Sequence, residues 1–114
     1  MWSIEYYQSE AGRCPVEEFI DSLDAKSKAR VARTLDLLEE FGVDLGMPYA
    51  KPLEKQLWEL RISLGRNRYR IIYFLATGKA FVLLHGLAKK TGPVPRGDVK
   101  LAENRRDDYL ARRR

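Results

Sequence analysis

One cysteine, one histidine and no long uninterrupted apolar run set the first limits on this 114-residue chain. Cys14 stands alone, so no internal disulfide can form. With His85 as the single histidine, the usual zinc-binding sets cannot be assembled from one copy of the chain. The carboxylates do not cluster on any strand end, which leaves no magnesium constellation either. The expectation is a protein with no metal and no cofactor, placed in the cytoplasm. The N-terminus, MWSIEYYQSE, has neither a basic leader nor an apolar core, so no secretory signal is read there. Residues 71–88 are apolar apart from Thr77, Lys79 and His85. A charge in the middle of that run, beside Gly78, marks two strands and a turn rather than a membrane span.

What is present fits one globular domain covering residues 1–114, with 45% hydrophobic and 32% charged residues. The net charge of +5 conceals an asymmetry. Residues 1–50 hold five Lys/Arg against ten Asp/Glu, a net of −5, and residues 51–114 hold sixteen against six, a net of +10. A half that basic is a footprint for a polyanion such as nucleic acid, or for an acidic protein partner.

Residues 2–7, WSIEYY, are rich in aromatic and branched side chains and predict a strand. Pro15 suits the first helical position, Glu17 and Glu18 suit the first turn, and Val16, Phe19, Ile20 and Leu23 make one apolar stripe over a helix at 15–23. Asp24 predicts an N-cap for a second helix ending near Phe41, with Gly42 beyond it. Its expected buried stripe is Val31, Leu35, Leu38 and Phe41. Residues 42–56 read as a loop. Three strands follow, at 57–64, 68–75 and 80–87, and then a polar helix from about Arg96 to the end. The fold class is therefore α+β: a small antiparallel sheet, a helical hairpin after the first strand, and a C-terminal helix.

Alternation fixes the register of the first two of these strands. Trp58, Leu60, Ile62 and Leu64 share a face with Tyr69, Ile71, Tyr73 and Leu75; Glu59 and Arg61 share the opposite one with Arg68 and Arg70. Pairing 61 with 70 and 63 with 68 matches these faces and sets two arginines directly opposite each other on a face expected to be uncovered. Like charges so placed cost up to ~1 kcal/mol. An anionic ligand would explain the arrangement; so would Glu59 as a neutralising neighbour. His85 depends on the turn at 76–80: a two-residue Thr77-Gly78 loop sets it opposite Arg70, a three-residue loop against the core.

Taken together, ELR at 59–61, YRIIYF at 69–74, LHGLAKKT at 84–91 and the A-x-x-R-x-x-D-Y pattern at Ala102, Arg105, Asp108 and Tyr109 resemble the phage-derived HigB-type toxins of the RelE/ParE superfamily. The resemblance spans nearly the whole chain, including the first strand and PVEEFIDSL. It implies a RelE-like sheet and the toxin of a type II toxin–antitoxin pair. The activity implied is a ribosome-dependent mRNA endonuclease that inhibits translation and arrests growth. The implied partners are a cognate helix-turn-helix antitoxin, mRNA on the ribosome, and operator DNA only through the antitoxin, with no membrane. The alternative within the superfamily is a ParE-like inhibitor of DNA gyrase that cuts nothing.

For the nuclease, RNA supplies its own nucleophile, the 2′-OH. The protein must align it and stabilise the charge of the phosphorane. The expected catalytic group is Arg61 and Arg70 gripping phosphate oxygens, Lys89 and Lys90 adding positive charge or a base, and His85 as acid–base group if its face is right. Arg66, Arg68 and Arg105 are expected to bind RNA, with Tyr109 stacking on a base. One histidine rules out a two-histidine acid–base pair.

Overall fold

The computed structural model describes residues 1–88 and 91–113. In chain order it contains β1 (Ser3–Tyr6), α1 (Pro15–Asp21), α2 (Ala25–Phe41), a 3₁₀ turn at Gly42–Asp44, β2 (Ala50–Pro52), β3 (Trp58–Leu64), β4 (Asn67–Ala76), a second 3₁₀ turn at Thr77–Lys79, β5 (Ala80–Ala88) and α3 (Arg96–Arg112). The five strands form one sheet in the order β1-β5-β4-β3-β2. β1 lies parallel to β5 and the other neighbours are antiparallel, so the sheet is mixed rather than wholly antiparallel. The helical hairpin between β1 and the rest provides the long return that a parallel neighbour requires. β2 falls inside the stretch expected to be loop. It is three residues long and sits at the sheet edge, where Pro52 removes no ladder bond the fold needs.

α2 starts where the sequence marks it: the Asp24 carboxylate accepts a hydrogen bond from the Ser27 amide at 2.7 Å. Val31, Thr34, Leu35 and Leu38 form its buried stripe, whereas Phe41, expected with them, is 45% exposed. α1 and α2 cover one face of the sheet, over a core that includes Leu60, Ile62, Ile71, Tyr73, Phe81 and Leu83. Gly86 lets α1 approach β5, since a Cβ there would stand 2.4 Å from Cδ2 of Phe19.

The opposite face carries a second core of Leu57, Ile72, Phe74, Val82 and Leu84 beneath Val94, Val99 and Ala102. The face holding the arginines is thus covered over part of its extent, contrary to the expectation of an open one. The reason lies in its composition: on β4 the arginines give way to Ile72 and Phe74, and that apolar end needs a lid. α3 supplies it with little apolar area of its own and is fastened by polar contacts. Tyr7 Oη donates to Asp108 Oδ2 at 2.6 Å, with Arg112 on the same carboxylate at 2.8 Å. Tyr109 Oη donates to Glu5 Oε1 at 3.0 Å, and Arg113 reaches the same oxygen at 3.0 Å. Leu110, expected among its apolar contacts, is 47% exposed.

Candidate nucleic-acid interface

The β3–β4 register is the one that alternation predicts: Arg61 faces Arg70, Ser63 faces Arg68 and Leu64 faces Asn67. Glu59 stands between the two guanidiniums. Its Oε2 lies 2.9 Å from Nη1 of Arg70, and its Oε1 lies 3.5 Å from Nη2 of Arg61. One carboxylate between two cations leaves the trio at +1, which removes most of the repulsion across the strands. Glu59 is 1% exposed and Arg70 7%, so the pair is buried and each charge depends on the other. Arg70 Nη1 also donates to the Gly92 carbonyl at 3.1 Å, where residues 91–95 cross over it. Arg70 is therefore shut away from a ligand in this structure. Arg61 is the open member: its side chain is 29% exposed, and its Nε is buried without a partner among the described residues.

Further cations lie beyond it. Arg66 is exposed at the tip of the β3–β4 hairpin, and Arg68 bends back to the carbonyls of Gly65 (2.6 Å) and Asn67 (3.1 Å). Exposed Lys51 pairs with Glu59 across β2 and β3. Arg30, on α2, donates to the Ser63 carbonyl at 2.8 Å. The outer end of the sheet is thus a cationic strip of Lys51, Arg61, Arg66 and Arg68. Lys89 and Lys90 lie outside the described residues.

His85 arrives on the arginine face by a route that alternation does not reveal. The turn has three residues and Ala76 pairs with Ala80, the register expected to send His85 into the core. A bulge then intervenes: Tyr73 pairs with Leu83 but Ile72 pairs with His85, leaving Leu84 as the extra residue. Glu59, Ile72 and His85 consequently form one row across the three strands, and Arg61, Arg70 and Leu87 form the next. The imidazole is held at both nitrogens. Nε2 lies 2.6 Å from Asp98 Oδ1 in the first turn of α3, and Nδ1 lies 3.3 Å from Arg105 Nη1. A guanidinium can only donate, so Nδ1 is the acceptor and the proton sits on Nε2, directed at Asp98. Arg105 Nη1 also donates to the Leu84 carbonyl at 2.8 Å, within the bulge.

Of the expected RNA-binding residues, Tyr109 is committed elsewhere. Its ring meets Phe74 edge-on at 5.7 Å and carries the Arg113 guanidinium over it at 4.5 Å. Burial and the Glu5 carboxylate push its phenol up from the ordinary value. Arg105 sits half-buried at a different corner from Arg61, its pKa lowered by desolvation. Two residues of the site are not among those expected from sequence. Glu59 shows in the alternation only as a possible neutraliser, and Asp98 carries no expectation from sequence, its acidic place in the first turn of α3 being the one signal that could have marked it. Among the described residues, no group of three or more His, Cys, Asp or Glu could hold a metal ion, and no helix is long and apolar enough to cross a membrane.

A mixed five-stranded sheet with two helices on one face, a C-terminal helix on the other and cationic side chains at its open end defines a small RelE-like α+β domain. Residues 18–107 match the family described as Phage derived protein Gp49-like (DUF891), and the chain belongs to that family of RelE-like toxins. No curated protein matches the chain. Family membership is compatible with the toxin of a toxin–antitoxin pair.

Proposed function

We propose that the protein is a HigB-type toxin of a type II toxin–antitoxin pair, acting in the cytoplasm as a ribosome-dependent mRNA endonuclease. The observation that carries this reading is the guanidinium pair Arg61–Arg70 around the single carboxylate of Glu59, at the cationic end of a RelE-like sheet. Glu59 and Arg70 make a buried structural pair, and Arg61 is the cation of the three that stays partly open to a ligand. Arg61, with its side chain 29% exposed, is the member that meets a phosphate oxygen and stabilises charge on the phosphorane. Arg70 acts through Glu59, fixing the carboxylate that orients Arg61. Arg66 and Arg68 take flanking phosphates, which position the strand without reading its sequence. Lys89 and Lys90 add positive charge. His85, on the same face two strands from Arg61, serves as the acid–base group once its contact with Arg105 at Nδ1 opens, Asp98 holding Nε2. The substrate's 2′-OH is the nucleophile, and the ribosome holds it in line. A cognate helix-turn-helix antitoxin restrains the activity.

Expression without antitoxin is expected to arrest growth, with primer extension on cellular mRNA showing new 5′ ends. Arg61→Gln and Lys89→Ala relieve the arrest while folding is retained. Arg70→Ala is the wrong probe, because it strands Glu59 in the interior. Intact transcripts accompanied by altered DNA supercoiling would instead identify a gyrase inhibitor and end the nuclease reading.

A further inference from the structure

A second basic site lies around Arg105, away from the Arg61 strip. β1 stops at Tyr6 while β5 runs on to Ala88, so the edge of β5 beyond β1 is left to the α1 and α3 sides. There a cleft of about 300 Å³ opens, lined by Tyr7, Ser9, Arg13, Pro15, Glu18 and Arg105. Arg105 uses only one nitrogen, Nη1, for both of its hydrogen bonds, to the Leu84 carbonyl and to His85. Its Nε and Nη2 have no hydrogen-bond partner among the described residues. Arg61, Arg70 and Arg106 each have a carboxylate in an ion pair. Arg105 has none among the described residues. Partial burial lowers its pKa from the ordinary arginine value. The lining also holds Arg13, whose Nε and Nη2 are occupied by Glu18 at 3.0 and 2.6 Å. Glu18 is thus the one carboxylate in the lining, and it is exposed enough to swing away.

We infer that this cleft is a phosphate-binding site in which Arg105 grips the anion with the unused edge of its fork, and that occupancy pulls Arg105 off Nδ1 of His85. The geometry ties the two events together. One guanidinium bridges the cleft and the imidazole, and its 3.3 Å contact with Nδ1 is the weaker of its two bonds. A phosphate oxygen forms a shorter, charge-assisted bond to the Nε–Nη2 edge, and turning that edge of the rigid, planar guanidinium to the anion swings Nη1 away from Nδ1. With Asp98 keeping the proton on Nε2, the released Nδ1 presents a free lone pair, so the ligand itself turns His85 into a proton acceptor. The inference depends on the ribonuclease reading only for the natural ligand, the phosphodiester of an RNA strand. Anion binding and its effect on the ring stand apart from it.

The single histidine makes the test direct, because the 114-residue chain has one pair of imidazole ¹⁵N resonances. At fixed pH, inorganic phosphate is expected to move the Nδ1 signal saturably and leave Nε2 nearly still. A ribodinucleoside monophosphate is expected to do the same at lower concentration; a response to phosphate alone assigns the site to the free ion. Arg105→Gln should weaken the response by about tenfold or more, and Glu18→Gln, which frees Arg13, should strengthen it about fivefold. Arg33→Gln, on the exposed side of α2, should change nothing. If Arg105→Gln fails to fold, the Glu18→Gln gain still decides. The inference is overturned if Nδ1 does not move, if Nε2 moves in its place, or if Arg105→Gln and Glu18→Gln both respond as the parent does. Intact mRNA in cells alongside a positive titration would remove the nuclease reading and leave this site standing.

Discussion

Glutamine in place of Glu59 keeps the side chain's length and removes the only negative charge between Arg61 and Arg70. Arg70, 7% exposed, cannot recover the loss by hydration. Breaking a buried pair by removing one partner costs about 3–5 kcal/mol, since an uncompensated charge stays inside. Two features argue for the low end. Arg70 keeps its bond to the Gly92 carbonyl, and Arg61, with its side chain 29% exposed, can turn toward water. A loss of about 3 kcal/mol is a large share of the 5–15 kcal/mol that holds a typical domain together. At roughly 4 °C per kcal/mol for a chain of this size, Tm should fall by about 12 °C. The assay is urea and thermal unfolding of Glu59→Gln, Arg70→Met and the double variant. Removing both charges leaves no fully buried charge without its partner, so the double variant should be better than the sum of the singles by about 2 kcal/mol or more. A Glu59→Gln protein within about 1 kcal/mol of the parent, or strict additivity, would refute the claim that this trio carries interior charge.

Gly86→Ala sets a Cβ against the Phe19 ring and should cost about 1–3 kcal/mol by urea unfolding, with Phe19→Leu restoring part of it in the double variant. The Tyr7–Asp108–Arg112 contact gives stability a pH dependence on both sides. Hydrogen bonds from Tyr7 and then Arg112 depress the Asp108 carboxyl, so its contribution is complete above the ordinary carboxylate pKa of 3.8 and is lost as pH falls through the lower folded value. Desolvation and the bond to Asp108 raise Tyr7, whose contribution is complete below 10.0 and is lost as pH climbs through the higher folded value. Asp108→Asn should flatten the acid limb in a pH series of urea midpoints; an unchanged limb counts against the contact.

How much of this was legible depended on whether the information was local. The Asp24 cap and the Arg61–Arg70 register are written in spacing, one at a helix start and the other in a period of two, and both stand in the structure. The bulge at Leu84 leaves no such trace. β5 is apolar on both faces, so inserting one residue changes no visible alternation, although it decides which side His85 takes. α3 was legible as a helix but not as a lid, because its fastenings join Tyr7 to Asp108 and Tyr109 to Glu5, residues about a hundred positions apart. β2 is too short, and too rich in proline around it, to announce itself. Glu59 was visible as a neighbour. Its burial, at 1% exposure, which turns a neutraliser into a structural necessity, came from the tertiary fold.

The two covers of this sheet answer to different solvents. α2 is held by Val31, Leu35 and Leu38, and apolar contacts of that kind yield to heat and denaturant. α3 is fixed at its start by Arg96 on Glu54, and the residue after its end, Arg113, pairs with Glu5, both at the surface. Such contacts weaken as salt shortens the reach of charge, to about 8 Å at physiological ionic strength. Rising salt therefore loosens the two ends of α3, whose middle stays on the core through Val99 and Ala102, and leaves α2 in place. Amide exchange along α3 becomes a gauge of ionic strength, and exchange along α2 becomes its internal reference.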